Sequence, residues 1–108
     1  MDRLKDLFRR QIGFQYLIGN FPLIIERQKY INEQALALIV ETTEALQETN
    51  WKSWKKSNGY NEEKFKEELI DCWHFLINLT LTVMSDEEFY KKFIEKNDIN
   101  YKRQSENY

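Results

Sequence analysis

Four acidic residues form two matched pairs in this chain. Glu41 and Glu44 lie within ALIVETTEAL, and Glu68 and Asp71 within EELIDCWHFLINL. Side chains three or four positions apart share one face of a helix. The first such face reads Gln34, Ala37, Leu38, Glu41, Glu44, Ala45 and Glu48, and the second reads Phe65, Glu68, Asp71, Cys72, Phe75, Asn78 and Leu79. In both, carboxylates interrupt an apolar stripe. An unpaired carboxylate is costly to bury, so a cation should meet them. Four converging oxygen ligands suit a hard divalent ion such as Mg²⁺, an ion that commonly arrives with phosphates. A single Glu-x-x-Glu is usually a solvated helix face. Two pairs, each set in an apolar stripe and brought to one level, point instead to a metal site.

The elements that must position these acids follow from periodicity. Leu4, Leu7, Phe8, Ile12, Phe14 and Leu17 predict a first helix from about Arg3 to Ile18. Gly19-Asn20-Phe21-Pro22 ends it, and Pro22 suits the first turn of the next element. A second helix is expected from about Leu23 to Thr49, with an irregularity near Gln28. Asn58-Gly59 signals a turn, and Asn61 can cap a third helix that runs to about Met84. Glu62 and Glu63 in its first turn suit the helix dipole. Ser85-x-x-Glu88 is a capping-box pattern that opens a fourth helix, from Asp86 to Asn97 or beyond. Short connections favour antiparallel neighbours. The expected fold is therefore all-α, an antiparallel four-helix bundle, with one domain over residues 1–108. In such a hairpin Glu41 and Glu44, near the end of one helix, come level with Glu68 and Asp71 near the start of the next.

Composition narrows the function classes. Three Gly and one Pro leave little punctuation, which agrees with long helices. A net charge of −2 lacks the basic excess of a nucleic-acid footprint. No stretch reaches the roughly 18 apolar residues of a membrane span. MDRLKDLFRR is charged and has no signal-peptide core, so the expectation is a cytoplasmic protein. The lone Cys72 lies in an apolar stripe, where a buried inert thiol is expected.

Other residues have two readings each. Trp51 and Trp54 flank Lys52, with Lys55 and Lys56 beyond. They make either a hydrophobic plug on the hairpin or an aromatic wall for a base with a lysine for phosphate. His74 lies one turn after Asp71, as a packing residue or a site residue. Lys96, Lys102 and Arg103 suit a helix C-terminus or a phosphate clamp.

Longer strings sharpen these alternatives. VETTEAL followed by NWKSWKK and then EELIDCWHFLINL resembles the dimeric all-α dUTPases, part of the wider MazG-like family of NTP pyrophosphatases. The tail FIEKNDINYKRQSENY is similar to the late motif of that family at Lys96, Asn97, Asn100, Arg103, Gln104 and Tyr108. Gln11-x-x-Phe14-Gln15 resembles its uracil-contacting Q-x-x-L-N, with Gln15 in place of Asn. The late motif here has Glu95 and Asn107 at two positions that usually hold Gly, and only a short segment separates it from the DCWHF helix. The resemblance is thus to a minimal form of the fold.

The resemblance implies a Mg²⁺-dependent pyrophosphohydrolase that converts dUTP to dUMP and pyrophosphate. Glu41, Glu44, Glu68 and Asp71 are then metal ligands, and either Glu41 or Glu44 also orients the attacking water. Lys52, Lys96 and Arg103 are expected at phosphates. Gln11, Gln15, Trp51, His74, Phe75 and Asn97 are expected around the nucleoside, with Asn78 as a further candidate. The family pairs subunits, so a homodimer is implied, and tetramers occur in the superfamily. Phe21, Leu23, Ile24 and Ile25 are apolar residues that could seal it. Two rivals remain: a broader house-cleaning NTP pyrophosphatase like MazG, and a non-enzymatic helical interaction module.

Overall fold

The computed structural model describes residues 2–20, 26–56 and 59–106. The protein is all-α, with helices α1 (Arg3–Leu17), α2 (Arg27–Gln47), α3 (Glu62–Leu81) and α4 (Asp86–Ser105). Three of the starts carry a side-chain cap, which satisfies N–H groups that the helix itself cannot. Asp2 accepts from the N–H groups of Leu4 and Lys5 at 2.9 and 3.3 Å. Asn61 accepts from that of Lys64 at 3.0 Å, and Ser85 from that of Glu88 at 3.2 Å. The end of α1 is a Schellman motif. The Gly19 N–H donates to the Tyr16 carbonyl at 3.1 Å and the Asn20 N–H to the Gln15 carbonyl at 2.9 Å. Gly19 takes a φ of 67°, a conformation that disfavours any residue with a Cβ.

Some expected details differ. Helix α2 is regular from Arg27 onward, with no irregularity at Gln28, whose amide bonds Asn32 one turn on. Helices α2 and α3 stop at Gln47 and Leu81, short of Thr49 and Met84, while α4 continues to Ser105. Lys102 and Arg103 in its last turn suit the dipole there. Phe21, Pro22, Leu23, Ile24, Ile25, Asn58, Asn107 and Tyr108 lie outside the described residues. No described helix is long and apolar enough to cross a membrane.

Helices α2 and α3 form an antiparallel hairpin. Near the turn, the Asn61 N–H donates to the Glu48 carbonyl at 3.3 Å. At the far end the Arg27 guanidinium donates to the Thr82 carbonyl. Between them, Asn78 Nδ2 donates to Gln34 Oε1 at 2.8 Å, and the Thr42 hydroxyl lies 3.7 Å from the Cys72 thiol. Helix α1 packs on α3. Helix α4 packs on α1 by its first turn, where the Phe8 and Phe89 rings are 5.8 Å apart and Lys5 Nζ is 3.9 Å from Glu87.

Among the described residues the interior is small and rich in polar groups. Its buried apolar members are Phe8, Tyr30, Ala45 and Cys72, and beside them four amides are buried, Gln11, Gln15, Gln34 and Asn78. The bundle is open. Its radius of gyration is 17.3 Å, where a compact chain of this length has about 13 Å. Large apolar side chains therefore stay exposed: Leu36, Ile39 and Val40 on α2, Ile70, Trp73 and Leu76 on α3, and Tyr90, Phe93 and Ile94 on α4.

Candidate active site

The hairpin register brings the acids together. Seven positions along each helix from the bonded pair Gln34 and Asn78 stand Glu41 and Asp71, and three further stand Glu44 and Glu68. Equal spacing on two antiparallel helices makes facing residues into facing pairs. One carboxylate oxygen from each of Glu41, Glu44 and Glu68 lies within 4.8 Å of the others. Glu44 is exposed, while Glu41 and Glu68 are half-buried. Asp71 lines the adjoining cavity together with Glu41 and adds its charge to the group.

Glu41 bears most of the strain. Its Oε2 is buried and accepts no hydrogen bond among the described residues. Burial, the Glu44 charge, the Glu68 carboxyl and the Asp71 charge together push its carboxyl up to about 7. A buried acceptor without a donor is costly. Here the group that would relieve it is a cation, and the cluster offers only oxygen donors. Such a donor set fits a hard divalent ion better than a thiophilic one.

Next to the acids lies a cavity of about 630 Å³, within the usual range for a small-molecule site. Its walls come from α1, α2, α3 and the turn after α1, and include Gln11, Gln15, Glu41, Asp71, His74, Phe75 and Asn78. All seven are residues that the sequence marks as site candidates. The cavity amides are bonded to one another. Gln11 Nε2 donates to Asn78 Oδ1 at 2.8 Å. Gln15 Oε1 accepts from the Tyr30 hydroxyl and from Asn20 Nδ2, both at 3.1 Å. His74 is half exposed, with Nδ1 3.9 Å from Asp71 Oδ1.

Five expected site residues lie elsewhere in this chain. Trp51 and Lys52 sit on the α2–α3 connection, around a second cavity of about 190 Å³ that Lys55 and Lys56 also line. There the Trp51 and Trp54 rings stack edge to face at 5.7 Å, and Lys52 Nζ lies 5.2 Å from the Trp51 ring centre. Lys96, Asn97 and Arg103 are on the exposed second half of α4, which contributes nothing to the wall of the large cavity. Conversely, Gln34, Tyr30, Asn20, Phe14 and Ile18 belong to the site or its support, and sequence reasoning does not assign them there. Gln34 does carry a signal: an amide on the same buried stripe as Glu41, two turns earlier. Asn20 carries none, because its place depends on the turn after α1.

A family model described as dUTPase matches residues 3–85. The match includes both acid pairs and every wall of the large cavity, and ends just before α4. No curated protein and no solved structure matches the chain.

Proposed function

The chain belongs to the family of dimeric all-α dUTPases, and from that premise we propose a cytosolic enzyme that splits dUTP into dUMP and pyrophosphate with Mg²⁺. The observation that carries this reading is the meeting of two features. A carboxylate cluster with an orphaned buried oxygen opens onto a nucleoside-sized cavity walled by amides and an aromatic ring.

In this reading Glu41, Glu44, Glu68 and Asp71 hold the divalent ions. When bound, Mg²⁺ supplies charge neutralisation at the phosphate oxygens as pyrophosphate departs. Glu44, the exposed member of the cluster, orients the attacking water, while half-buried Glu41 serves as ligand. Phe75 and His74 flank the nucleoside, and Gln11 and Gln15 read its base. Lys52, on the connection after α2, is assigned to the phosphates from the second cavity, which it lines with Lys55 and Lys56.

The same reading gives the exposed apolar faces a purpose. Leu36, Ile39 and Val40 on α2 and Ile70, Trp73 and Leu76 on α3 are exposed at helical spacing, a pattern that suits an interaction face, and the family is one of dimers. We propose a homodimer in which a second copy covers the outer faces of α2 and α3 and brings its α4 to the cavity. Lys96, Asn97 and Arg103 then serve phosphate and nucleoside from the neighbouring copy. Pyrophosphate release across the common and deaminated nucleoside triphosphates, with and without Mg²⁺, tests the activity. Preference for dUTP supports it. Comparable rates on all bases leave a MazG-like pyrophosphatase, and no Mg²⁺-dependent release on any leaves an interaction module.

A further inference from the structure

Two hydrogen-bonded chains of amides meet at the large cavity, and each has a direction. In one, Gln11 Nε2 donates to Asn78 Oδ1 and Asn78 Nδ2 donates to Gln34 Oε1, both at 2.8 Å. In the other, Tyr30 and Asn20 both donate to Gln15 Oε1 at 3.1 Å. A side-chain amide has a donor end and an acceptor end, and when buried it cannot turn round alone without losing its bonds. Gln11 turns its nitrogen to Asn78 and uses one of its two N–H groups there, so its carbonyl oxygen is the end turned away from that chain and offered to a ligand. Gln15 has both lone pairs of its oxygen engaged, so its NH₂ is the end left.

One acceptor beside one donor is a pattern that a pyrimidine can match or mismatch. Uracil shows an N3–H donor next to a C4 carbonyl acceptor. Cytosine shows the reverse, an N3 acceptor next to an amino donor. Thymine shows the same edge as uracil and differs by a methyl group.

We propose that Asn78 and Gln34 on one side, and Tyr30 and Asn20 on the other, are positioning residues for base choice. They lock Gln11 as acceptor and Gln15 as donor, the complement of the uracil N3–H and C4 carbonyl edge. This rests on the reading of the cavity as the nucleoside pocket. Cytosine then meets its like at both positions, and neither amide can turn to suit it unless its partners turn with it. Burial pushes the Tyr30 phenol up from its ordinary range, which keeps the hydroxyl proton available for donation to Gln15 at neutral pH. The fold fixes both chains. The α2–α3 register holds Gln34 opposite Asn78, and the Schellman motif after α1 sets Asn20 beside Gln15. Because uracil and thymine share an edge, the device separates dUTP from dCTP and is blind to dTTP.

The test is kcat/KM of the full chain on dUTP, dTTP and dCTP. Asn78→Leu frees Gln11 to turn, and should narrow the dUTP to dCTP ratio by about tenfold or more. The dUTP to dTTP ratio should stay within about twofold, since those bases share the edge being read. Asn78→Asp, whose carboxylate still accepts from Gln11 Nε2, should restore most of the dUTP to dCTP ratio. Tyr30→Phe removes one of two donors to Gln15, should narrow the ratio less, and serves if Asn78→Leu fails to fold. A variant that merely loosens the fold would lower all three substrates together, and that result in both Asn78→Leu and Tyr30→Phe overturns the inference. Should the wild type favour dUTP while no variant moves the ratio, the functional reading stands and this inference alone falls. A wild type that hydrolyses no dUTP removes both.

Discussion

The α2–α3 hairpin and helix α4 carry the two halves of the site's expected chemistry, yet the chain treats them differently. In the hairpin, the acids meet, the cavity forms and the amides find partners within one copy. Helix α4 is equally well formed and capped, but it packs by its first turn and leaves Lys96, Asn97 and Arg103 away from the cavity. The difference teaches where sequence spacing suffices. Two consecutive helices that pair antiparallel, bonded at both ends of the hairpin, turn matched spacing into matched position. A terminal helix with an apolar stripe can pack on its own chain or on another, and spacing does not choose.

Breaking the hairpin's side of this comparison should have the largest effect. Glu44→Ala and Asp71→Ala should each lower kcat on the order of a thousandfold, since each removes a carboxylate from the metal cluster. Removing one of several repelling carboxylates should leave the melting temperature of the metal-free protein unchanged or raised. Near-wild-type turnover in both variants would dismiss the cluster as a metal site.

The α4 side is tested by mixing copies. Lys96→Ala should lower kcat/KM by about ten- to a hundredfold, the usual cost of a lost charge-assisted bond. If α4 serves a neighbouring copy, mixing Glu44→Ala with Lys96→Ala subunits should recover activity that neither variant has alone. Sedimentation should find the protein as a dimer under the same conditions. Mixtures no more active than the sum of their parts would return α4 to its own chain.

Smaller effects separate metal from fold. Mg²⁺ binds the folded cluster and not the unfolded chain, so saturating Mg²⁺ should raise the melting temperature by several degrees. Asp71→Ala should remove most of that shift, and Lys96→Ala should keep it. An equal shift in all three proteins would mean that Mg²⁺ binds elsewhere.

The smallest expected effect is a pH slope confined to the hairpin. The Glu41 carboxyl, ordinarily at 4.5, is pushed up to about 7 in the folded protein. Between those values the folded state holds a proton that the unfolded state has lost. Metal-free stability should therefore fall as pH rises from about 4.5 through about 7, and be unaffected by this group below that window. Mg²⁺ competes with the proton and should flatten the slope. A metal-free melting temperature that rises steadily with pH over the window would contradict this assignment of Glu41.

How far the sequence reaches can be judged residue by residue. Asn61 and Ser85 as caps, and Gly19 as the end of α1, are legible because a helix terminus is satisfied by nearby side chains. The acid pairs are legible because helical period and the antiparallel pairing of two consecutive helices fix their level. Sequence resemblance puts Trp51 at the nucleoside; its ring contacts with Trp54 and Lys52 are not legible, because nothing in local spacing says which way a connection folds. Gln34 is legible as part of a face but not of a site, since an amide's role depends on what stands across from it.

By itself, then, the sequence determined the helices, their caps, the antiparallel hairpin and the convergence of Glu41, Glu44, Glu68 and Asp71. The helices and caps arise from interactions a few residues apart along the chain, and the convergence from equal spacing of the acids on two consecutive antiparallel helices. Only the tertiary structure decided that Glu41 Oε2 is orphaned, that Gln11 and Gln15 are held in opposite senses, and that α4 stands away from the cavity. Those depend on which groups face each other across helices far apart in sequence, where the direction of a hydrogen bond and the choice of packing partner are set by three-dimensional neighbours alone.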